Sequence, residues 1–182
     1  MLELFSDRLH MRQLSSTDWA LFLQLHTDPK VIEYVCDHPA EHSLREKFAC
    51  RLPEWTPDSD HWLCLVICER HSGQPVGVTG LKMTRNGADA PGAEVGYLLL
   101  SQQHGKGYGV ESLSSVIAYA DESLRLTALQ ATVTAGNIAS CRVLEKCGFS
   151  LESRVPNAVR INDQVFEDLI YTRSIAASVG HS

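Results

Sequence analysis

Hydrophobic positions along the chain change period often enough to mark out its elements. Residues 8–14 alternate apolar and polar, which predicts a strand. Ser16, Thr17 and Asp18 then supply caps for a helix reaching about His26, and Asp28-Pro29 opens a second short helix carrying Val31, Ile32, Tyr34 and Val35. Leu44, Phe48 and Leu52 recur at steps of four, giving a third helix over 43–52. Pro53, Pro57, Asp58 and Ser59 mark a loop. Residues 62–69 are apolar on both faces, as a central strand is, and the turn at 71–74 returns the chain into a strand over 75–84. A turn rich in Gly, Asn, Asp and Pro at 85–92 leads to an apolar strand, 93–100.

Beyond that strand the period lengthens. Val110, Leu113, Ile117, Ala120 and Leu124 repeat at three and four, so residues 110–124 form a helix with one buried stripe. A strand at 129–134 follows, then a helix over 138–147 that stops at Gly148. Residues 151–161 and 165–173 form a hairpin turning at Asn162-Asp163, and 175–182 is a frayed tail. The order predicts an α/β (α+β) fold, a mixed and largely antiparallel sheet flanked by helices. The whole chain, 1–182, is expected to form one domain with an ordered core over about 7–174.

Composition narrows the classes of function. The chain has 182 residues, 44% hydrophobic, enough for a sizeable core. No apolar run is long enough to span a membrane, and the N-terminus lacks a signal-peptide pattern, so a cytoplasmic protein with no membrane partner is expected. Six cysteines show no Cys-x-x-Cys pair and no histidine spacing to match, which favours buried thiols in a reducing compartment and no metal site. The net charge of −6 argues against a nucleic-acid surface. It suits a cationic acceptor, and equally it serves solubility.

The chemistry concentrates around Gln102-Gln103-His104-Gly105-Lys106-Gly107-Tyr108-Gly109. A glycine-rich turn between a strand and a helix lets backbone approach an anion, and the first helical amides are free to bind it. The spacing is neither that of a Walker loop nor that of a dinucleotide fingerprint. It resembles the Gln/Arg-x-x-Gly-x-Gly/Ala pyrophosphate loop of the GCN5-related N-acetyltransferase (GNAT) superfamily, as Gln102-x-x-Gly105-x-Gly107. Three further blocks extend the resemblance in the right order. Asn137-Ile138-Ala139-Ser140 with Glu145-Lys146-Cys147-Gly148-Phe149 is similar to the Asn-x-x-Ser…Glu-Lys-x-Gly-Phe block. Arg8-Leu9-His10-Met11-Arg12, then Asp18, is similar to the opening of the RimJ/RimL-like branch, which acetylates ribosomal-protein N-termini. Asn162, Asp168 and Tyr171 match that branch's ending, with Asp163 where Gly is usual.

The resemblance implies acetyl transfer from acetyl-CoA to an amine, without a metal. The strands would splay after the one carrying Glu94 to admit the cosubstrate. Pyrophosphate would then meet the backbone of His104, Gly105, Lys106, Gly107, Tyr108, Gly109 and Val110, helped by the helix dipole. Lys106 either adds charge there or is a solvated loop lysine. A backbone amide around Leu98, Leu99 or Leu100 would stabilise the oxyanion. Asn137 is both a good N-cap and the residue that contacts the pantetheine arm in the family, and Arg142 joins the cofactor-binding set.

Glu94, a charge within an otherwise apolar strand, is the candidate base, against a bland reading as a salt-bridged or edge glutamate. Ser140 either steadies the leaving thiolate or is simply a first-turn helix residue. The tyrosine that many members carry seven residues after the motif Asn is replaced by Leu144, and the glutamate of some RimL-type enzymes by Val159. Cys141 is read as a packing thiol. Trp19, Tyr34, Trp55 and Phe166 either line the acceptor cleft or fill the core.

Three functional readings follow. A protein N-terminal α-amine, such as that of a ribosomal protein, leads, as the RimJ/RimL-like resemblance implies, and a weak base suffices for it, since presenting it neutral at pH 7 costs about 1.4 kcal/mol against about 4.6 for a lysine. A small amine such as an antibiotic, polyamine or amino acid is the rival. A non-catalytic acyl-CoA-binding module is the third. The protein is expected to be a monomer or a homodimer.

Overall fold

The computed structural model describes residues 1–84 and 91–175; most of the predicted 85–92 turn and the tail beyond 175 lie outside the described residues. Eight strands form one sheet in the order β1-β2-β3-β4-β5-β6-β8-β7. They are β1 (Glu3–Phe5), β2 (Leu9–Gln13), β3 (Leu63–Glu69), β4 (Pro75–Thr84), β5 (Gly92–Leu99), β6 (Ala128–Thr134), β7 (Ser150–Ile161) and β8 (Gln164–Ser174). The helices are α1 (Trp19–Thr27), α2 (Pro29–Ile32), α3 (Glu41–Ala49), α4 (Tyr108–Glu122) and α5 (Ile138–Lys146). The predicted mixed, largely antiparallel sheet is present, and among the described residues its one parallel pair is β5 with β6. Sequence pattern missed β1, whose three residues are too few to show a period.

Strand parity divides the molecule into two faces. Leu9 and Met11 of β2, Leu63, Leu65 and Ile67 of β3, Val95 and Leu99 of β5, and Leu129 and Val133 of β6 pack on one face with Leu113, Val116 and Ala120 of α4. Cys64, Val66 and Cys68 point the other way, to Leu21, Phe22 and Leu25 of α1 and Leu44 and Phe48 of α3. β3 is therefore buried on both faces, as its unbroken apolar run requires. Each such aliphatic side chain contributes about 1.5–3 kcal/mol on burial.

The opening arginines act as ties. Arg12 donates two hydrogen bonds to the Asp18 carboxylate, at 2.9 and 2.8 Å, fixing the entry to α1. Arg8 reaches the other way. Its Nε donates to Glu111 Oε2 at 2.7 Å, and its guanidinium donates to the Lys106 carbonyl at 2.9 Å, pinning the glycine-rich loop to the start of α4. The final hairpin turns at Asn162 and Asp163, both at positive φ (47° and 62°). A two-residue turn with this geometry matches strand twist, and Asn and Asp tolerate it.

Candidate active site

Among the described residues, β5 and β6 pair in register at Gly92–Ala128, Ala93–Leu129 and Glu94–Gln130. Beyond Glu94 they part, since β5 follows β4 as far as Leu99 while β6 is paired with β8 as far as Thr134. Ligands of open sheets settle at the carboxyl ends of parallel strands, and here the gap opens a cleft of about 950 Å³.

On the α4/α5 face the cleft meets the glycine-rich loop. Gly107 is the residue before α4 and sits at φ +82°, which a residue with a side chain reaches only under strain. The turn aims the first amides of α4 into the cleft. Among the described residues, the amides from Gly105 to Val110 donate to no protein acceptor. A row of unclaimed N–H groups with a helix dipole behind it is a cradle for an anion. Arg142 of α5 lines the same side.

Opposite the loop, Asn137 caps α5, its Oδ1 accepting from the Ser140 amide at 3.3 Å. The Ser140 hydroxyl receives a long hydrogen bond, 3.3 Å, from the phenol of Tyr97 on β5. Burial pushes the Tyr97 phenol above its ordinary pKa, so it stays protonated and able to donate. Leu144 faces the core, as does the Cys141 thiol.

Backbone along β5 alternates between its two neighbours. The Leu100 amide donates to the Val76 carbonyl of the β4 side at 2.9 Å, which removes it as an oxyanion donor. The same alternation turns Leu98 toward β4, its register partner there being Val78, and leaves the amides of Tyr97 and Leu99 facing the gap. The Leu99 carbonyl on that side meets His104 Nε2 at 3.0 Å.

The α1–α3 face of the cleft is different in kind. Lys30, Val31, Glu33, Tyr34 and Val35 of α2 and its following turn form one wall. Thr132 and Thr134 of β6, Asp168 of β8 and Val159 of β7 form the other. Tyr34 packs edge-on to Phe166, with ring centroids 6.1 Å apart, and covers Gly136, where an added Cβ would lie 2.8 Å from Tyr34 Cε1. The Asp37 carboxylate accepts from the Asn162 amide at 2.6 Å, closing the α2 turn onto the hairpin tip. Asp28 links the faces by capping α2 at the Lys30 amide while accepting from Ser101 at 2.7 Å.

Most residues expected from sequence meet at this cleft: Leu98, Leu99, His104, Gly105, Gly107, Tyr108, Gly109, Val110, Asn137, Ser140 and Arg142 line it. Glu94, Leu100, Gln102 and Lys106 do not. Glu94 sits at the last β5–β6 pair. Burial raises its pKa, while a hydrogen bond from Thr132 and the charge of Lys82 on β4 oppose the rise. Lys106 Nζ is held by the Gln103 amide oxygen at 2.8 Å. Of the four aromatics left open, Trp19 packs on Phe22 and Phe48, and Trp55 is buried in the core. Tyr34 lines the cleft and Phe166 backs it. Tyr97, Gln103 and Glu33 were missed. Tyr97 occupies a core-facing position of a strand, and only tertiary structure brings its hydroxyl to Ser140.

A family model described as an acetyltransferase (GNAT) domain matches residues 8–150. A probable N-acetyltransferase, YjcK, of Bacillus subtilis is 41% identical over 76 residues, which span 42% of this chain and 41% of that protein. Two solved structures share the fold. One is a putative ribosomal-protein-serine acetyltransferase from Vibrio cholerae, with TM-score 0.75 and 19% identity over 96% of this chain and 98% of that one. The other is a spermidine N-acetyltransferase from the same organism, solved with CoA and spermine, with TM-score 0.78 and 16% identity over 93% and 96%.

Proposed function

The chain belongs to the acetyltransferase (GNAT) domain family, and from that premise we propose that it moves the acetyl group of acetyl-CoA to a primary amine, first of all a protein N-terminal α-amine of the RimJ/RimL type. The observation that carries this reading is the two-sided gap between β5 and β6. One side offers unclaimed amides at a helix start, and the other is a recess with carboxylates and a tyrosine.

The pyrophosphate of CoA lies against the amides from Gly105 to Val110, with Arg142 adding charge. The pantetheine arm, which hydrogen-bonds like a peptide, runs through the gap as a surrogate strand beside β5. The thioester oxygen faces the Leu99 amide, a preorganised donor for the oxyanion. The amine enters from the α2 side and attacks the carbonyl carbon. The C–S bond then breaks, and the electron pair leaves on sulfur. Ser140, with Tyr97 behind it, hydrogen-bonds the departing thiolate. Tyr97 thus supplies the hydroxyl that Leu144 lacks. Burial raises the Tyr97 phenol pKa and keeps it a hydrogen-bond donor, so the pair stabilises the leaving group.

An N-terminal amine suits the recess because it ends a thin extended chain and deprotonates near pH 8. A specific contact favours a second reading. The closure of the α2 turn onto the hairpin through Asp37–Asn162 and Tyr34–Phe166 walls the recess, which suits a small cationic amine. All six cysteines are free thiols, four of them buried, which supports a reducing, cytoplasmic setting.

CoA-thiol release from acetyl-CoA, measured over N-terminal peptides, N-blocked lysine peptides, polyamines and aminoglycosides, tests the proposal. Turnover confined to free-N-terminus peptides supports the first reading. Turnover confined to small amines replaces it with the second. CoA binding without release on any amine would instead make the chain a binding module.

A further inference from the structure

We propose that Asp168, not Glu94, is the carboxylate that receives the acceptor's ammonium proton. The inference rests on the amine-acetylation reading above and deepens it. Asp168 stands on β8 opposite Thr134, the last residue of β6, where the gap is widest, and across from Val155 of β7. Strand parity puts it on the α1–α3 face with Thr132 and Thr134, and it lines the cleft. Glu94 shares that face but lies at the closed end of the gap, hydrogen-bonded by Thr132 and opposite Lys82, and does not line the cleft.

Asp168 differs from Asp18 and Glu111, two carboxylates that arginines hold in this fold. Asp18 is held by Arg12, and Glu111 is held by Arg8 and Ser6. Among the described residues Asp168 has neither a hydrogen-bond donor nor an ion-pair partner. Burial alone acts on it, raising its pKa from the ordinary carboxylate range. A desolvated, unpaired carboxylate weakens the fold unless a ligand supplies the missing partner. Among the described residues, the groups lining the recess from the α2 side include Lys30, Glu33 and Tyr34, while β6 and β7 present Thr132, Thr134 and Val159. An entering ammonium ion fits that vacancy in charge and in hydrogen-bond donors.

The proton balance is complete. The ammonium gives one proton to Asp168, and its freed lone pair forms the new C–N bond. Collapse of the tetrahedral intermediate breaks C–S. The second nitrogen proton ends on the thiolate, giving CoA thiol, and Asp168 returns its proton to water.

The test compares Asp168→Asn, Asp168→Glu and Glu94→Gln with the wild type on one amine that the wild type acetylates. Turnover is followed from pH 6 to pH 10, alongside acetyl-CoA affinity by calorimetry and the thermal midpoint. Asp168→Asn is expected to lower kcat at pH 7 by about 100-fold. It should leave acetyl-CoA affinity unchanged and raise the thermal midpoint slightly, because an unpaired, partly desolvated charge is gone. Its deficit should shrink as pH rises and the amine deprotonates in solution. Asp168→Glu should recover part of the rate. Wild-type kcat and an unaltered pH profile in Asp168→Asn would overturn the proposal, and so would a larger loss in Glu94→Gln. If the wild type acetylates no amine, the underlying reading fails and the proposal falls with it, an outcome distinct from an active wild type matched by an active Asp168→Asn.

Discussion

The two faces of the cleft are built on opposite terms. On the α4/α5 face several polar side chains near the gap are fixed by other groups: Arg8 by Glu111 and the Lys106 carbonyl, Asn137 by the Ser140 amide, Ser140 by Tyr97. The core behind it is a large cluster of aliphatic and aromatic side chains. On the α1–α3 face the wall is a four-residue helix, its following turn and a hairpin, joined through Asp37 and Asn162, and among the described residues its carboxylate at 168 has no partner. A site for a molecule shared by a whole family is preformed, whereas a site for a varied partner leaves its bonds to be completed by that partner.

The sharpest way to break this contrast is to remove the paired hydroxyls. Tyr97→Phe with Ser140→Ala should lower kcat by about 100-fold, as loss of a preorganised donor does, with acetyl-CoA affinity nearly unchanged. Because the two act as one hydrogen-bonded unit, either single change should give most of that loss. Additive single effects in steady-state kinetics would separate Tyr97 from the leaving-group site.

Acid should loosen the α1–α3 face first. His26 of α1 is 2% exposed, stacks on Phe22 and pairs its Nδ1 with the Phe22 carbonyl. Desolvation holds its pKa down at about 4. An unfolded histidine protonates near 6.5, so between those values the unfolded state binds more protons, and stability rises with pH across the window. Falling from pH 6.5 to pH 4 should therefore remove on the order of 3 kcal/mol. His26→Gln should flatten that dependence in urea melts. An unchanged slope would assign it elsewhere.

Next in size is the phosphate cradle. Gly107→Val forces a β-branched residue into left-handed geometry, at a cost of about 1–2 kcal/mol, with its Cβ 3.3 Å from the Arg8 guanidinium. Acetyl-CoA affinity should fall about tenfold by calorimetry, with the acceptor KM unmoved. Unchanged affinity would refute the placement of the pyrophosphate.

The same division decided what was legible in the sequence. The glycine-rich loop, Asn137, Ser140 and the sheet pattern are local signals, since a helix start or a strand period is written in neighbouring residues. The parting of β5 and β6 was expected only through family resemblance. The acceptor face arises from residues more than a hundred positions apart, as Asp37 with Asn162 and Tyr34 with Phe166 show. Glu94 drew attention because a charge in an apolar strand stands out, yet in the fold it has Thr132 and Lys82 as neighbours. Asp168 stood out only as a motif match, and its isolation is visible only when β6 and β8 are placed side by side.

The smallest effect should come from Tyr34, and it bears directly on the nature of the acceptor. Tyr34 is half-buried, covers Gly136 and meets Phe166 edge-on. Such a pair is worth about 0.5–1.5 kcal/mol, so Tyr34→Ala should barely shift the thermal midpoint. If the ring instead grips the acceptor, the variant should raise the acceptor KM about threefold to tenfold, a comparable energy, with the acetyl-CoA KM constant. The dependence on acceptor size then separates the two readings. A small cation enclosed by the wall loses contact when the ring goes, so its KM rises. A peptide that must thread past the ring gains room beyond its first residue, so its KM rises less, or falls for bulky second residues. Equal losses on both would leave Tyr34 as a buttress for the hairpin and move acceptor choice to Glu33 and Val159.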